Sequence, residues 1–139
     1  MRLAAGVIIL KNDHILLVHE KNHWSLPKGK REKNETMQQT AIREAKEETG
    51  LDVELISTAF VSEFVKDNNR HYLQVYYEAT PVHGEISIND PDGDIDAVQY
   101  VPLKELENYL SFKPRLQPLK QWLHKRKTSY HFFDLTHEK

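Results

Sequence analysis

The chain has 139 residues, 39% hydrophobic and 29% charged, which is the size and composition of one soluble domain with its own core. Its 19 Lys+Arg against 21 Asp+Glu give a formal net charge of -2, which argues against a histone-like DNA coat or a polybasic membrane anchor. Cysteine is absent, which excludes disulfides, thiolate metal sites and a Cys nucleophile; any metal must be held by oxygen or imidazole. A cysteine-free chain also suits a reducing cytoplasm, where we expect it to reside.

Residues 3–10 form an apolar run of eight, far short of the roughly 20 needed to span a bilayer, and no small-residue cleavage pattern follows it. It reads as a buried strand, paired through the polar turn at 11–14 with a second apolar run at 15–18. Residues 24–30 contain Pro27 and Gly29 and are expected to be irregular. Residues 36–49 hold neither Gly nor Pro and read as a helix, with Thr36 and Gln39 spaced for a capping box and Gly50 placed for a left-handed C-terminal cap. Two β-rich stretches follow, about 53–65 and 71–80, around the turn Asp67-Asn68-Asn69.

Residues 85–96 are acidic, carry Pro91 and Gly93, and read as a loop before a short strand at 97–101. Residues 103–110 and 115–127 read as helices, each preceded by a proline, with Pro118 expected to delay the start of the second. Residues 128–139 read as a C-terminal tail whose Tyr130, Phe132 and Phe133 pack on their own domain or on a second copy in a homodimer. The order β-β-α-β-β-β-α-α predicts one α/β domain over residues 1–139.

The chemistry concentrates at residues 29–51. On a helix at 100° per residue, Glu44, Glu47 and Glu48 share an arc of about 100°. Like charges at this spacing repel by a few tenths of a kcal/mol per pair, and the helix C-terminus disfavours negative charge. A hard divalent cation would relieve that cost, since Mg²⁺ and Mn²⁺ prefer carboxylate oxygens. The alternative is a solvated acidic face, partly neutralised by Arg43 and Lys46.

The flanking spacing resembles the Nudix hydrolases. Their motif is Gly, five residues, Glu, seven residues, then Arg-Glu-apolar-any-Glu-Glu-any-Gly-apolar. Gly29, Glu35, Arg43, Glu44, Ala45, Glu47, Glu48, Gly50 and Leu51 match every fixed position. The chance co-occurrence of the seven specified residues is on the order of 10⁻⁶ or less. The resemblance implies an α-β-α sandwich, with a mixed central sheet, the motif helix on one face and the C-terminal helices on the other.

It further implies a pyrophosphohydrolase that uses Mg²⁺ or Mn²⁺ to cleave a nucleoside diphosphate linked to a group X. By that resemblance Glu44, Glu47 and Glu48 hold metal and one of them deprotonates water. Arg43 orients a motif glutamate, Glu35 supports, and Gly29 and Gly50 are the loop and cap glycines. Upstream, Trp24-Ser-Leu-Pro-Lys-Gly-Lys30 is similar to members acting on dinucleoside polyphosphates, diphosphoinositol polyphosphates or RNA 5′ ends; it places Lys28 and Lys30 around Gly29, which makes these three candidate substrate-binding residues, against plain surface lysines.

Asp94 is the candidate further metal ligand from the acidic loop, against a plain solvated loop. Phe64, Tyr72 and Tyr76 could stack on a base or pack the core, and His71 could contact phosphate or stand exposed at a strand end. The basic stretch 113–127 could steer a polyphosphate or RNA 5′ end, or be the polar face of a packed helix. A non-catalytic nucleotide sensor is the reading from another functional class.

Overall fold

Alternation along the first strand builds both sides of the protein. β1 (Arg2–Lys11) sends Ala5, Val7 and Ile9 to one face and Ile8 to the other, all buried. Its neighbours in the computed structural model, which describes residues 1–137, are β2 (His14–Glu20), β3 (His23–Ser25) and β4 (Lys28–Lys30). Then come α1 (Met37–Thr49), β5 (Asp52–Lys66), β6 (Arg70–His83), β7 (Ile95–Pro102), α2 (Leu106–Tyr109), α3 (Lys113–Lys125) and β8 (Ser129–Asp134).

The sheet runs β3-β2-β1-β6-β5-β8, with β4 added to β1 and β7 to β2. β1–β6 and β5–β8 are parallel and the other pairs antiparallel, so the sheet is mixed, as expected. Ala5, Val7, Ile9, Tyr77 and Ala79 pack on Ala41 and Ala45 of α1. Ile8, Ile15, Phe60 and Tyr76 pack on Leu119 and Trp122 of α3. Two cores back to back across one sheet are the sandwich. Among the described residues no helix is long and apolar enough to cross a membrane.

The hairpin turn sits at Asn12 and Asp13, both at positive φ (48° and 60°), the geometry that matches strand twist in a two-residue turn. Three expectations change. Residues 24–30 are not wholly irregular, because β3 and β4 flank Leu26-Pro27 and find partners in β2 and β1. Residues 128–137 are not a loose tail: β8 extends the sheet beside β5, Phe60 opposite Ser129, with Tyr130 and Phe132 largely exposed. The remainder of the expected tail, 138–139, lies outside the described residues.

Finally, α3 starts before Pro118 rather than after it. A proline there has no N–H for the carbonyl of Pro114 four residues back. The buried Ser62 hydroxyl of β5 donates to that carbonyl at 2.6 Å instead, and so fastens the helix to the sheet.

Replacing Ser62 by Ala should therefore strand a buried carbonyl and cost about 1–3 kcal/mol in denaturant unfolding. Pro118→Ala restores an N–H to Pro114, so the double variant should recover much of the loss. Additive losses in the double-mutant cycle would contradict this account.

Candidate functional site

α1 begins as its sequence prescribes. The Thr36 side chain accepts from the Gln39 N–H at 3.1 Å, and the Gln39 side chain accepts from the Thr36 N–H at 2.8 Å. Gly50 closes the helix at φ 83°, its N–H donating to Lys46 at 2.9 Å. Between these caps the helix presents Arg43, Glu44, Glu47 and Glu48 beside β4.

Arg43 organises the group. Its Nε and Nη2 make a two-pronged pair with Glu35, at 2.6 and 3.0 Å. Nη1 reaches Glu44 and Glu47, each at 3.0 Å, and Nη2 also donates to the Lys30 carbonyl at 2.9 Å. Glu35 is fixed in turn by the Thr40 hydroxyl and the Glu32 N–H. The guanidinium holds the Glu35 carboxyl down at about 2. Glu48 stands apart from Arg43, only 6% exposed, and accepts from the Lys28 N–H at 3.0 Å.

Gly29 is the loop position over Glu44, and a Cβ there would overlap the Glu44 carboxylate itself. The glycine is required by that approach. Burial raises the Glu44 carboxyl to about 7 and the Glu48 carboxyl to about 9. The Glu47 carboxylate is held by Arg43.

The Glu44, Glu47 and Glu48 oxygens fit a hard divalent cation by donor type. Burial of Glu44 and Glu48, which disfavours their charged forms, is a cost that a cation would relieve. In the arrangement seen, Arg43 stands between Glu44 and Glu47, and among the described residues no three acidic or imidazole groups already converge as a ligand set.

The acidic loop docks on the end of α1, where the Ser87 and Asn89 N–H groups donate to the Thr49 and Glu47 carbonyls. Asp94 does not reach the glutamates; its carboxylate lies 3.6 Å from Lys21. Asp90, which sequence reasoning passed over, is the loop acid whose charge helps raise Glu44. It also accepts from the Asp94 and Ile95 N–H groups.

Lys28 and Lys30 flank Gly29 on β4, and the Lys28 ammonium lies 3.7 Å from Glu20. Beyond them open two adjoining cavities of about 420 and 430 Å³, which share Lys28, Tyr72 and Gln74 in their walls. Tyr72 stacks on Phe64 with centroids 5.0 Å apart. Tyr76 is fully buried against Phe60, in the core. His71 pairs with Glu63 across β5 and β6, away from the glutamates.

The basic stretch of α3 divides. Lys120 pairs with Glu107, and Arg126 beyond the helix lies 3.8 Å from Glu78, while Arg115 turns inward to the first of the two cavities. Sequence reasoning missed Arg115 as a site residue, although its spacing to Leu119 and Trp122 puts it on the buried face.

The carboxyls set a pH dependence of opposite signs. Glu44 and Glu48, raised above their ordinary value, contribute stability that is complete below about pH 4.5 and lost as pH rises through about 7 and about 9. Glu35, lowered to about 2, contributes stability present above about pH 4.5 and lost as pH falls towards about 2. In chelator, the melting temperature should decline from about pH 5 to about pH 9, and Glu44→Gln with Glu48→Gln should flatten that decline. A melting temperature that climbs over this window would count against the described burial.

A family model described as NUDIX domain matches residues 1–123. Among curated proteins the chain is 41% identical over 59 residues to the 8-oxo-dGTP diphosphatase of Proteus vulgaris, covering 38% of this chain and 53% of that protein. It is 33% identical over 94 residues to the ADP-ribose pyrophosphatase of Methanocaldococcus jannaschii, covering 63% of this chain and 56% of that one. These and other curated relatives are matched over 36% to 56% of their own length.

The solved structure of the mutator MutT protein from Bacillus halodurans superposes with a TM-score of 0.83, over 99% of this chain and 92% of that one, at 22% identity, a likeness of fold. With the matched model spanning residues 1–123, most of its length, the chain belongs to the Nudix family.

Proposed function

We propose that this protein is a divalent-metal-dependent pyrophosphohydrolase that cleaves a diphosphate linkage in a nucleoside polyphosphate or nucleoside diphosphate-X compound. The observation that carries this reading is the pairing of Glu44 and Glu47 with one arginine, with Glu48 one turn on held by the Lys28 N–H, beside a cationic cleft. The relatives named for 8-oxo-dGTP and ADP-ribose support it, because both compounds contain a diphosphate linkage.

Glu44, Glu47 and Glu48 would hold Mg²⁺ or Mn²⁺. The ion would supply screening of phosphate charge and a water of lowered pKa. The chain's own residues do the rest. Arg43 sets the directions of Glu44 and Glu47, so that their oxygens are placed before substrate arrives. Glu48, buried and held by the Lys28 N–H, would be ionised by a neighbouring cation, and its raised pKa then suits it to take a proton from the attacking water.

Lys28 and Lys30 hold the phosphates along β4 on either side of Gly29. No covalent intermediate on the protein is required, in keeping with a cysteine-free chain.

The test is a product-resolved screen of dinucleoside polyphosphates, ADP-ribose, oxidised nucleotides and triphosphorylated RNA with Mg²⁺ or Mn²⁺. Glu47→Gln combined with Glu48→Gln should lower the rate at least about a hundred-fold. Full activity in that variant would overturn the mechanism. Gly29→Ala should keep the melting temperature within a few degrees, because only the tip of a flexible side chain must move, yet weaken Mn²⁺ binding and turnover by about ten-fold or more. Unchanged Mn²⁺ affinity in Gly29→Ala would detach Glu44 from the metal.

A further inference from the structure

The cavities beyond Lys28 are lined by Lys66 and Arg115 in one and by Arg2 and Lys30 in the other. Arg115 is the most unusual group there. Its residue is 6% exposed, and its described partners are neutral: the Tyr76 hydroxyl at 2.9 Å and the Gln74 side-chain oxygen at 3.4 Å. Among the described residues no carboxylate lies within 4 Å of it. A guanidinium has five donors and cannot shed its charge, so burial without a counter-charge is costly. A bound anion would supply that charge.

The rest of the wall agrees. Lys28 and Lys66 share the cavity with Arg115, and Arg2 and Lys30 line the adjoining one. Among the described residues no Asp or Glu lines either cavity. The aromatic residues do not form a free platform for a base. Tyr72 is stacked on Phe64 and approached by Arg2 and Lys66, at 5.7 and 5.4 Å. Phe112 meets Lys66 and Arg115, at 5.2 and 5.1 Å. The rings hold one another and fix the cations in place.

We infer that this cleft is a phosphate subsite, in which Arg115 and Lys66 grip a phosphate beyond the scissile diphosphate, so that the group X itself carries phosphate. The inference rests on the hydrolase reading above and narrows it. Substrates with three or more linked phosphates are favoured over those in which X is an uncharged sugar. Lys28 joins the two regions, because its N–H holds Glu48 while its side chain lines the cleft.

The binding test uses inorganic tripolyphosphate and pyrophosphate, titrated calorimetrically in chelator. Tripolyphosphate should bind the wild type more tightly than pyrophosphate, and Lys66→Met and Arg115→Met should each weaken it by about ten-fold. Lys66 stands at the end of β5, half-buried, so its variant stays informative if Arg115→Met fails to fold. Tripolyphosphate affinity unchanged in Lys66→Met would overturn the subsite.

With Mg²⁺, the ratio of kcat/KM for adenosine 5′-tetraphosphate to that for ADP-ribose should exceed one, and should fall about ten-fold in Lys66→Met through KM. Turnover of both compounds with a ratio that Lys66→Met does not move would refute the subsite and leave the hydrolase reading standing. Tripolyphosphate binding that is sensitive to Lys66, with no turnover of any compound, would support the subsite and remove the hydrolase reading.

Discussion

The guanidinium of Arg43 is the contact on which the site depends. Three glutamates within little more than one helical turn repel one another, and they lie at the helix end where the peptide dipoles add to the cost. Arg43 meets two of them with one nitrogen and uses its other two nitrogens to anchor itself on Glu35. A lysine ammonium could not do this, because it lacks the planar fork that lets one side chain hold several fixed directions. The same guanidinium fastens the Lys30 carbonyl, so the strand carrying Gly29 is held against the helix. Glycine is then needed at 29, where Glu44 passes under the strand. The motif spacing is thus one connected piece of geometry, from the loop before α1 to its last turn.

The end of α1 shows how the rest of the chain accommodates that arrangement. Helix C-termini leave carbonyls without partners. Here the acidic loop donates N–H groups to two of them, at Thr49 and Glu47, and Gly50 turns the backbone away in a conformation that only glycine adopts without strain. A Cβ at Gly50 would also strike the loop at Glu85 and Ser87, so the cap and the docking of the loop are one requirement. Docking brings Asp90 near Glu44 and leaves Asp94 beside Lys21. The loop adds negative charge to a place already rich in it, which sharpens the demand for a cation there.

What could be read from the sequence was local. β1, its hairpin, the capping box of α1 and the glycine that ends it each have a signal within a few residues, and each stands where it was expected. What escaped was set at long range. β8 is a strand because β5 lies beside it, some seventy residues away in the chain, and its six residues carry no turn signal of their own. α3 tolerates Pro118 because Ser62, on another element, serves the carbonyl that the proline leaves free. The choice between Asp90 and Asp94 depended on how the loop folds back on its own N–H groups, which spacing alone does not determine. Arg115 is the exception, since its spacing to Leu119 and Trp122 already marked it as inward-facing, and the surrounding basic residues hid that.

A net charge of -2 conceals an arrangement with a direction. Beside β4 stand carboxylates that burial holds towards their neutral forms, and beyond it stand cations of which, among the described residues, Arg115 and Lys66 have no carboxylate within 4 Å. Neither group is stable in its charged state alone, and they do not neutralise each other, because Lys28 is the main link across the strand and its ammonium is engaged by Glu20. Each side therefore lacks a counter-charge that the other does not provide. On the proposed reading a metal ion would answer the first lack and a polyphosphate the second, and a metal–polyphosphate complex both at once. The separation of charge across β4 thus favours a ligand that is cationic at one end and anionic at the other, more than either component by itself.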